Sequence, residues 1–223
     1  MGGNIAMTEA VIRQVQDFDL ADPQTSRIWE SADWHELARV GNGPAAYATR
    51  AKVLWSAKGI YFLIEAQDRI LHCTMTRDFD DLYLEDVAEV FLWPDESQTL
   101  YFEYEISPLG MDLPILVPNS RGVFMGWRPW HYHGDRLVRR ITSVQGGQRK
   151  PMAEISGWTA SFFIPFALLK GLGNVPPRSG AVWRANIYRI DYDSGAPTQW
   201  AWCPDTGCNF HDYRRFGVFR FAD

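Results

Sequence analysis

Apolar and polar positions alternate with a period of two along most of the chain, which is the pattern of strands in a half-buried sheet. The segments 52–56 and 60–68 are separated by a short Gly-containing turn and predict a first hairpin. The segments 87–93 and 100–107 predict a second hairpin across the polar stretch PDESQT. The same alternation predicts further strands at 136–144, 157–165, 183–191 and 216–221.

The segment 100–107 separates its two faces cleanly. Phe102, Tyr104 and Ile106 point to one side of a strand, because successive side chains alternate between the faces. The opposite side then carries Tyr101, Glu103 and Glu105. This arrangement predicts a sheet with one buried face and one solvent-exposed face that bears carboxylates.

The fold class predicted from this pattern is all-β: a β-sandwich of antiparallel strands with jelly-roll or immunoglobulin-like connections, forming one domain over residues 1–223. One short helix or a single turn of helix is expected at 166–173, where FALLKGLG ends in glycine, and a weak helical pattern also covers 31–40. Residues 1–25 are expected to form an N-terminal arm. Residues 108–135, rich in Pro, Gly and Trp, are expected to form a long loop excursion of the kind that often carries function.

The composition of the 223 residues narrows the function classes. A hydrophobic content of 46% and a charged content of 22% are ordinary for a globular chain. The net charge of −5 disfavours a nucleic-acid partner, and the absence of an apolar run of about 18 residues disfavours a membrane span. The start of the sequence has no apolar signal region, which predicts a cytoplasmic protein, or a secreted one if the natural chain starts further upstream. The three cysteines are expected to be free thiols, with a loop pairing between Cys203 and Cys208 left open.

Aromatic residues are in excess of what a core of this size needs, with 10 Trp, 9 Tyr and 13 Phe. Flat aromatic faces suit the apolar faces of sugar rings. Trp127 and Trp130 lie within the predicted loop excursion. They are expected either to form a wall of a binding cleft or to pack against a second copy of the chain.

An acidic segment at 78–89 is the candidate metal site. Asp78, Asp80, Asp81 and Asp86 offer the oxygen ligands that calcium prefers. Their spacing differs from that of an EF-hand loop, and a solvated acidic loop is the alternative interpretation. Apart from this structural Ca²⁺, the sequence predicts no cofactor.

The carboxylates Glu89, Glu103 and Glu105 are the candidate polar contacts on the sheet face. They suit hydrogen bonding to sugar hydroxyls, and as a pair of carboxyl groups they also suit glycoside hydrolysis. Sugar binding is favoured over catalysis, because most carboxylates on a sheet face are not catalytic and the common catalytic motifs are absent. His131 and His133 would share a face of an extended segment, but solvent-facing histidines are the favoured interpretation.

Three blocks of sequence then suggest a family. They are VLWSAKGIYFLIEAQD at 53–68, LEDVAEVFLWPD at 84–95 followed by YFEYEISPLG at 101–110, and GWTASFFIPFALL at 157–169 with the later segments WRANIYRID and FHDYRRFGVFRF. In this order the chain resembles the family 9 carbohydrate-binding modules, and especially their stand-alone family 9-like relatives, over about residues 50–221.

The resemblance implies a non-catalytic β-sandwich that binds a mono- or oligosaccharide between two aromatic rings. The aromatic positions of the family correspond to Tyr83 and Phe210, and its polar contacts to Glu89, Glu105 and Asn186. The family's sugar-binding members carry a basic residue at the Glu105 position, so a different sugar specificity is expected here. The resemblance also implies structural calcium. The rival hypotheses are a hydrolase that uses the sheet-face glutamates and an interaction domain that has lost sugar binding.

Overall fold

The computed structural model describes residues 7–21, 25–41, 47–130, 132–204 and 209–223. Strands dominate these ranges and the all-β prediction is confirmed. The strands are β1 Glu9–Gln14, β2 His35–Glu36, β3 Ala38–Val40, β4 Thr49–Trp55, β5 Gly59–Gln67, β6 Val87–Trp93, β7 Leu100–Ile106, β8 Asp112–Ser120, β9 Val123–Phe124, β10 Arg128–Pro129, β11 Arg139–Gln145, β12 Gly157–Pro165, β13 Val182–Asp191, β14 Thr198–Ala201 and β15 Gly217–Ala222. One α-helix, α1, covers Thr25–Trp29, and 3-10 turns cover Leu82–Leu84, Gly134–Arg136 and Tyr213–Arg215.

The strands follow one continuous hydrogen-bonded path. Its order is β10-β8-β7-β6-β13-β15-β1-β4-β5-β12-β11, with β14 added beside β13 and β2 beside β4. Most neighbours are antiparallel, but β1 runs parallel to both β15 and β4. Residues 9–14 of the expected N-terminal arm are therefore an internal strand of the sheet.

The sandwich core lies between the two halves of this path. Val90, Phe102 and Ile187 come from β6, β7 and β13, and they belong to the same buried cluster as Phe62 of β5 and Phe162 of β12. The alternation in 100–107 predicted which side chains of β7 enter this core, because the pleat places every second side chain on the same face.

The opposite face of β6, β7 and β13 is also buried, contrary to the expected exposed face. Phe91, Tyr101 and Tyr188 lie in a second apolar cluster. Phe210 and Phe216, from the segment that precedes β15, belong to the same cluster. The period of two in the sequence predicts which face of the sheet a side chain occupies. It does not predict whether a distant loop covers that face.

Two local helix predictions differ from the structure. Residues 166–173 form turns rather than a helix, since their hydrogen bonds run over three residues from Pro165, Phe166 and Leu169. The helix lies at 25–29, and the weak helical pattern at 31–40 corresponds to β2 and β3.

The expected loop at 108–135 contains a long strand, because β8 occupies residues 112–120 and pairs with β7 along its length. Pro114 and Pro118 suggested a loop, yet their carbonyls face the outer side of β8, where they accept bonds from Trp130 and Met125. A proline on that outer side removes no bond to β7, so the strand tolerates it.

Within the described residues, no helix combines the length and the apolar character needed to cross a membrane.

Candidate functional site

A cavity of about 350 Å³ opens on the outer face of β6 and β7. We call it the outer cavity. Its wall is completed by β8, β9, β13 and β14, by the turn at 82–84 and by the segment 209–211. The lining residues are Tyr83, Glu89, Glu103, Glu105, Ile115, Phe124, Trp127, Ile190, Gln199, Asn209, Phe210 and His211.

Three glutamates contribute to the lining of the outer cavity from neighbouring strands. Glu89 of β6 and Glu105 of β7 are direct partners across the two strands. Glu103 lies two residues before Glu105 and therefore on the same face. Their exposed fractions are only 2%, 4% and 1% for Glu89, Glu103 and Glu105, so the carboxyl groups are almost fully removed from solvent.

Burial raises the pKa of all three carboxyl groups. The pKa of Glu89 rises to about 8. Burial and then the negative charge of Glu89 raise the pKa of Glu103, and burial followed by the charges of Glu89 and Glu103 raises the pKa of Glu105. The Oε2 atoms of Glu103 and Glu105 have no hydrogen-bond partner within the described part of the chain. Buried acids with raised pKa values inside a cavity are typical of functional sites.

His211 lies beside this carboxyl group cluster and was not singled out from the sequence. Its Nδ1 is 2.6 Å from the Tyr101 hydroxyl and 3.8 Å from Oε2 of Glu103. Burial lowers the pKa of the imidazole to about 4, so the ring is neutral at pH 7. The signal was present in the segment FHDYRRF, in which His211 directly follows the predicted stacking residue Phe210.

Aromatic side chains contribute to the wall of the outer cavity. Phe210, which lines the cavity, stacks on Tyr188 with ring centroids 4.0 Å apart. Tyr83 and Trp127 are half-buried in the lining. Phe124, which the sequence reasoning missed, stacks on His211 at 4.1 Å.

Two predicted contact residues, Asn186 and Trp130, do not line the outer cavity. Asn186 is buried beside it in β13, but its side chain exchanges hydrogen bonds with the backbone of Cys203. Trp130 packs against the sandwich core and donates its Nε1 hydrogen to the carbonyl of Leu168. Asn186 was predicted from the family resemblance and Trp130 from its position in the expected loop, and neither signal shows which polar group a side chain will meet.

The four aspartates of the predicted metal site are not brought together. Asp78 pairs with Arg140 at 2.7 Å and Asp80 with Arg77 at 3.0 Å. Asp86 is buried and accepts the backbone N–H groups of His72 and Tyr192. Asp81 precedes the 3-10 turn and makes no side-chain cap there. These residues do not fit a shared calcium ion, because their oxygens are directed to different partners.

Another acidic group is compact. Asp68, Asp191 and Asp193 bring one oxygen each within 4.8 Å of one another, and among the described residues they alone form such a group. Arg189 already bonds two of them, at 3.1 Å to Asp68 and 2.6 Å to Asp191, and Tyr47 donates to Asp193. Hard oxygen ligands suit calcium, but a guanidinium supplies the positive charge here.

Two further candidates lie outside the described residues. His131 falls in a gap, while His133 is exposed. Cys208 also falls in a gap, while Cys73 and Cys203 are buried free thiols. Burial raises the pKa of Cys203 to about 11, which keeps this thiol protonated.

Part of the sequence matches a known protein family. Residues 21–111 match the family model described as carbohydrate family 9 binding domain-like. No curated protein sequence matches the chain.

Solved structures share the fold over nearly the whole chain. A protein of Bacteroides uniformis described as carbohydrate-binding has a TM-score of 0.77 at 15% identity, covering 97% of this chain and 100% of that one. A family 9 module of Caldicellulosiruptor kristjanssonii in complex with cellotriose has a TM-score of 0.65 at 13% identity, with 96% and 94% covered. A family 9 module from the same organism in complex with glucose has a TM-score of 0.64 at 15% identity, with 95% of each chain covered.

Proposed function

This chain resembles the family 9 carbohydrate-binding modules in the sequence of residues 21–111 and in its fold, and from that premise we propose that it binds a mono- or oligosaccharide in the outer cavity. The observation that carries the proposal is the pairing of aromatic and carboxyl side chains in one concave site. Tyr83 and Phe210, predicted as the two stacking positions, both line it, together with Glu89 and Glu105.

The chemistry of the lining supports a sugar ligand. A pyranose has apolar C–H faces, which suit the rings of Phe210 and Trp127, and a rim of hydroxyls, which suit carboxyl oxygens. The family 9 modules of C. kristjanssonii were solved with cellotriose and glucose, so a glucose-type ring is a reasonable first probe. An open site of this kind should bind with a Kd on the order of micromolar to millimolar, because few ligand atoms are fully desolvated.

Removing two aromatic walls should weaken sugar binding. We expect the double variant Tyr83→Ala/Trp127→Ala to bind roughly tenfold more weakly, since an aromatic contact contributes about 0.5–1.5 kcal/mol. Both side chains are only half-buried, so the variant should fold. Isothermal titration with a panel of mono- and oligosaccharides gives the measurement.

Trp34→Ala is the matched control, because Trp34 is also half-buried but lies against Arg50 and Lys52, away from the outer cavity. Its affinity should equal that of the wild type. Absence of binding across the panel, or equal affinity of the double variant and the control, would contradict the proposed site.

A specific observation favours glycoside hydrolysis as a second candidate. A general acid needs a carboxyl group that keeps its proton near neutral pH, and burial gives Glu89 a pKa of about 8. If hydrolysis occurs, Glu89→Gln or Glu103→Gln should abolish product release while sugar binding persists. If the wild type releases no product from a broad set of oligosaccharides, this candidate is excluded.

Calcium binding by the segment 78–89 stays a prediction that its geometry does not favour, because its aspartates bond to different partners. The compact group around Asp193 is the place where an added ion would find oxygen ligands. Thermal unfolding of protein treated with a chelator, followed with and without added calcium, measures this directly. A midpoint that calcium raises in the wild type but not in Asp193→Asn would place the ion in that group.

A further inference from the structure

The outer cavity contains three acidic groups, and none of its described lining residues is a Lys or an Arg. His211 is the one basic side chain among the described lining residues, and its imidazole is held neutral by burial at pH 7. The other titratable groups that interact with the three carboxyls are tyrosine hydroxyls, none of which carries a positive charge: Tyr83, Tyr101, Tyr188 and Tyr192.

Among the buried acids outside the cavity, Asp86 is held by the backbone N–H groups of His72 and Tyr192, and three others are paired with arginines. Asp112 pairs with Arg140 at 2.9 Å, and Asp68 and Asp191 pair with the fully buried Arg189. This is the usual arrangement, because a buried carboxylate without a cation is costly. The outer cavity departs from it, and Oε2 of both Glu103 and Glu105 is buried without a hydrogen-bond partner among the described residues.

The distances between the three carboxyl groups limit which cationic ligand could neutralise them. Two oxygens bound to one calcium ion at about 2.3–2.6 Å lie within about 5 Å of each other. Among the described residues only the group of Asp68, Asp191 and Asp193 brings three such oxygens within 4.8 Å. The glutamates are therefore too dispersed for a bare ion to contact all of them, whereas a larger molecule with several donors can do so.

We infer that the ligand of the outer cavity is an amino sugar, whose ammonium group is received by the carboxyl groups of Glu103 and Glu105 and whose ring lies against the aromatic wall. This inference rests on the proposed sugar-binding function and specifies the class of sugar. An ammonium supplies up to three N–H donors and a positive charge, which are the two properties missing from the cavity. The hydroxyls then remain for Glu89 and for the amides of Gln199 and Asn209.

Binding of the ammonium is coupled to proton release. In the free protein, burial raises the pKa of Glu103 and Glu105 and so favours their protonated forms. The bound ammonium favours the ionised carboxylate and lowers that pKa again. Each carboxyl that ionises on binding releases one proton, so affinity for an amino sugar should rise with pH until the free amine of the ligand itself loses its charge.

The test compares three sugars of one size class by calorimetric titration at pH 7: glucosamine, glucose and N-acetylglucosamine. Glucosamine should bind roughly tenfold or more tightly than the other two, because a charge-assisted hydrogen bond is about twice as strong as a neutral one. Titration in two buffers that differ in ionisation enthalpy should show proton release for glucosamine only.

The variants Glu103→Gln and Glu105→Gln keep the shape of the side chain but remove the acid, and they should lower the affinity for glucosamine to that for glucose. Glu30→Gln, at an exposed position beyond α1, should retain the preference. If glucose binds as well as glucosamine, or if calcium chloride competes with glucosamine at the Glu103 site, the amino-sugar inference is overturned while sugar binding itself stands. If no sugar binds at all, both the inference and the proposed function fail.

Discussion

The free energy of unfolding should fall as the pH rises from about 4.5 to 8, and Glu89 should be one of the buried acids that cause the fall. The folded-state pKa of Glu89 is raised from 4.5 to about 8, so the native protein holds a proton that the unfolded chain loses over this interval. The stabilising contribution is complete below pH 4.5 and is lost as the pH passes through 8. At roughly 1.4 kcal/mol per pKa unit, the change amounts to at most about 5 kcal/mol.

The variant Glu89→Gln isolates this effect. Near pH 4.5 its free energy of unfolding should match that of the wild type, and near pH 8 it should exceed it. Urea unfolding at a series of pH values provides the measurement, with Glu30→Gln as the exposed control that should not change the profile. His211 acts in the opposite direction between pH 4 and 6.5, because its pKa is lowered to about 4. Parallel profiles for Glu89→Gln and the wild type would show that Glu89 is ionised throughout.

Replacing Arg189 with methionine should destabilise the fold by about 3–5 kcal/mol, the usual cost of removing one partner from a buried ion pair. The Arg189 side chain is fully buried and holds Asp68 at 3.1 Å and Asp191 at 2.6 Å. Without the guanidinium these carboxyls stay in the interior with no cation. The loss should be larger at pH 8 than at pH 5, because the pKa of Asp68, already about 7 through burial, would rise further.

Two comparisons show whether the charge or the packing of Arg189 is responsible. Combining Arg189→Met with Asp68→Asn and Asp191→Asn removes the unpaired charges and should restore part of the lost stability. Arg220→Met breaks an exposed pair with Glu9 and should have little effect, since solvent screens such pairs. A loss for Arg189→Met that is equal at both pH values and unchanged by the two asparagines would contradict the electrostatic explanation.

Sequence reasoning found the cavity residues that follow from strand periodicity or from the family resemblance. Glu89 and Glu105 fall on the correct face of β6 and β7, because the pleat of a strand alternates its side chains regardless of what surrounds it. Tyr83 and Phe210 came from the family resemblance, and both line the outer cavity. Trp127 also lines it and lies between β9 and β10, in a part of the expected loop that forms no strand.

The residues that were misplaced or missed depend on contacts between distant segments. Asn186 has the strand parity of a cavity residue, but Cys203, 17 residues away, takes its hydrogen bonds. His211 reaches Tyr101 across 110 residues. Sequence spacing gives no measure of such pairings, since they follow from how the loops close over the sheet.

By itself, the sequence determined the strand-rich fold, the composition of the core face and the resemblance to family 9. Each of these depends on a repeating local pattern or on ordered motifs. Only the tertiary structure decided that the carboxylate face is buried, because the segment carrying Phe210 and His211 packs over it from the far end of the chain. Burial then changes the chemistry: the same glutamates that would be ionised on an open face have raised pKa values in the outer cavity, since desolvation penalises their charge.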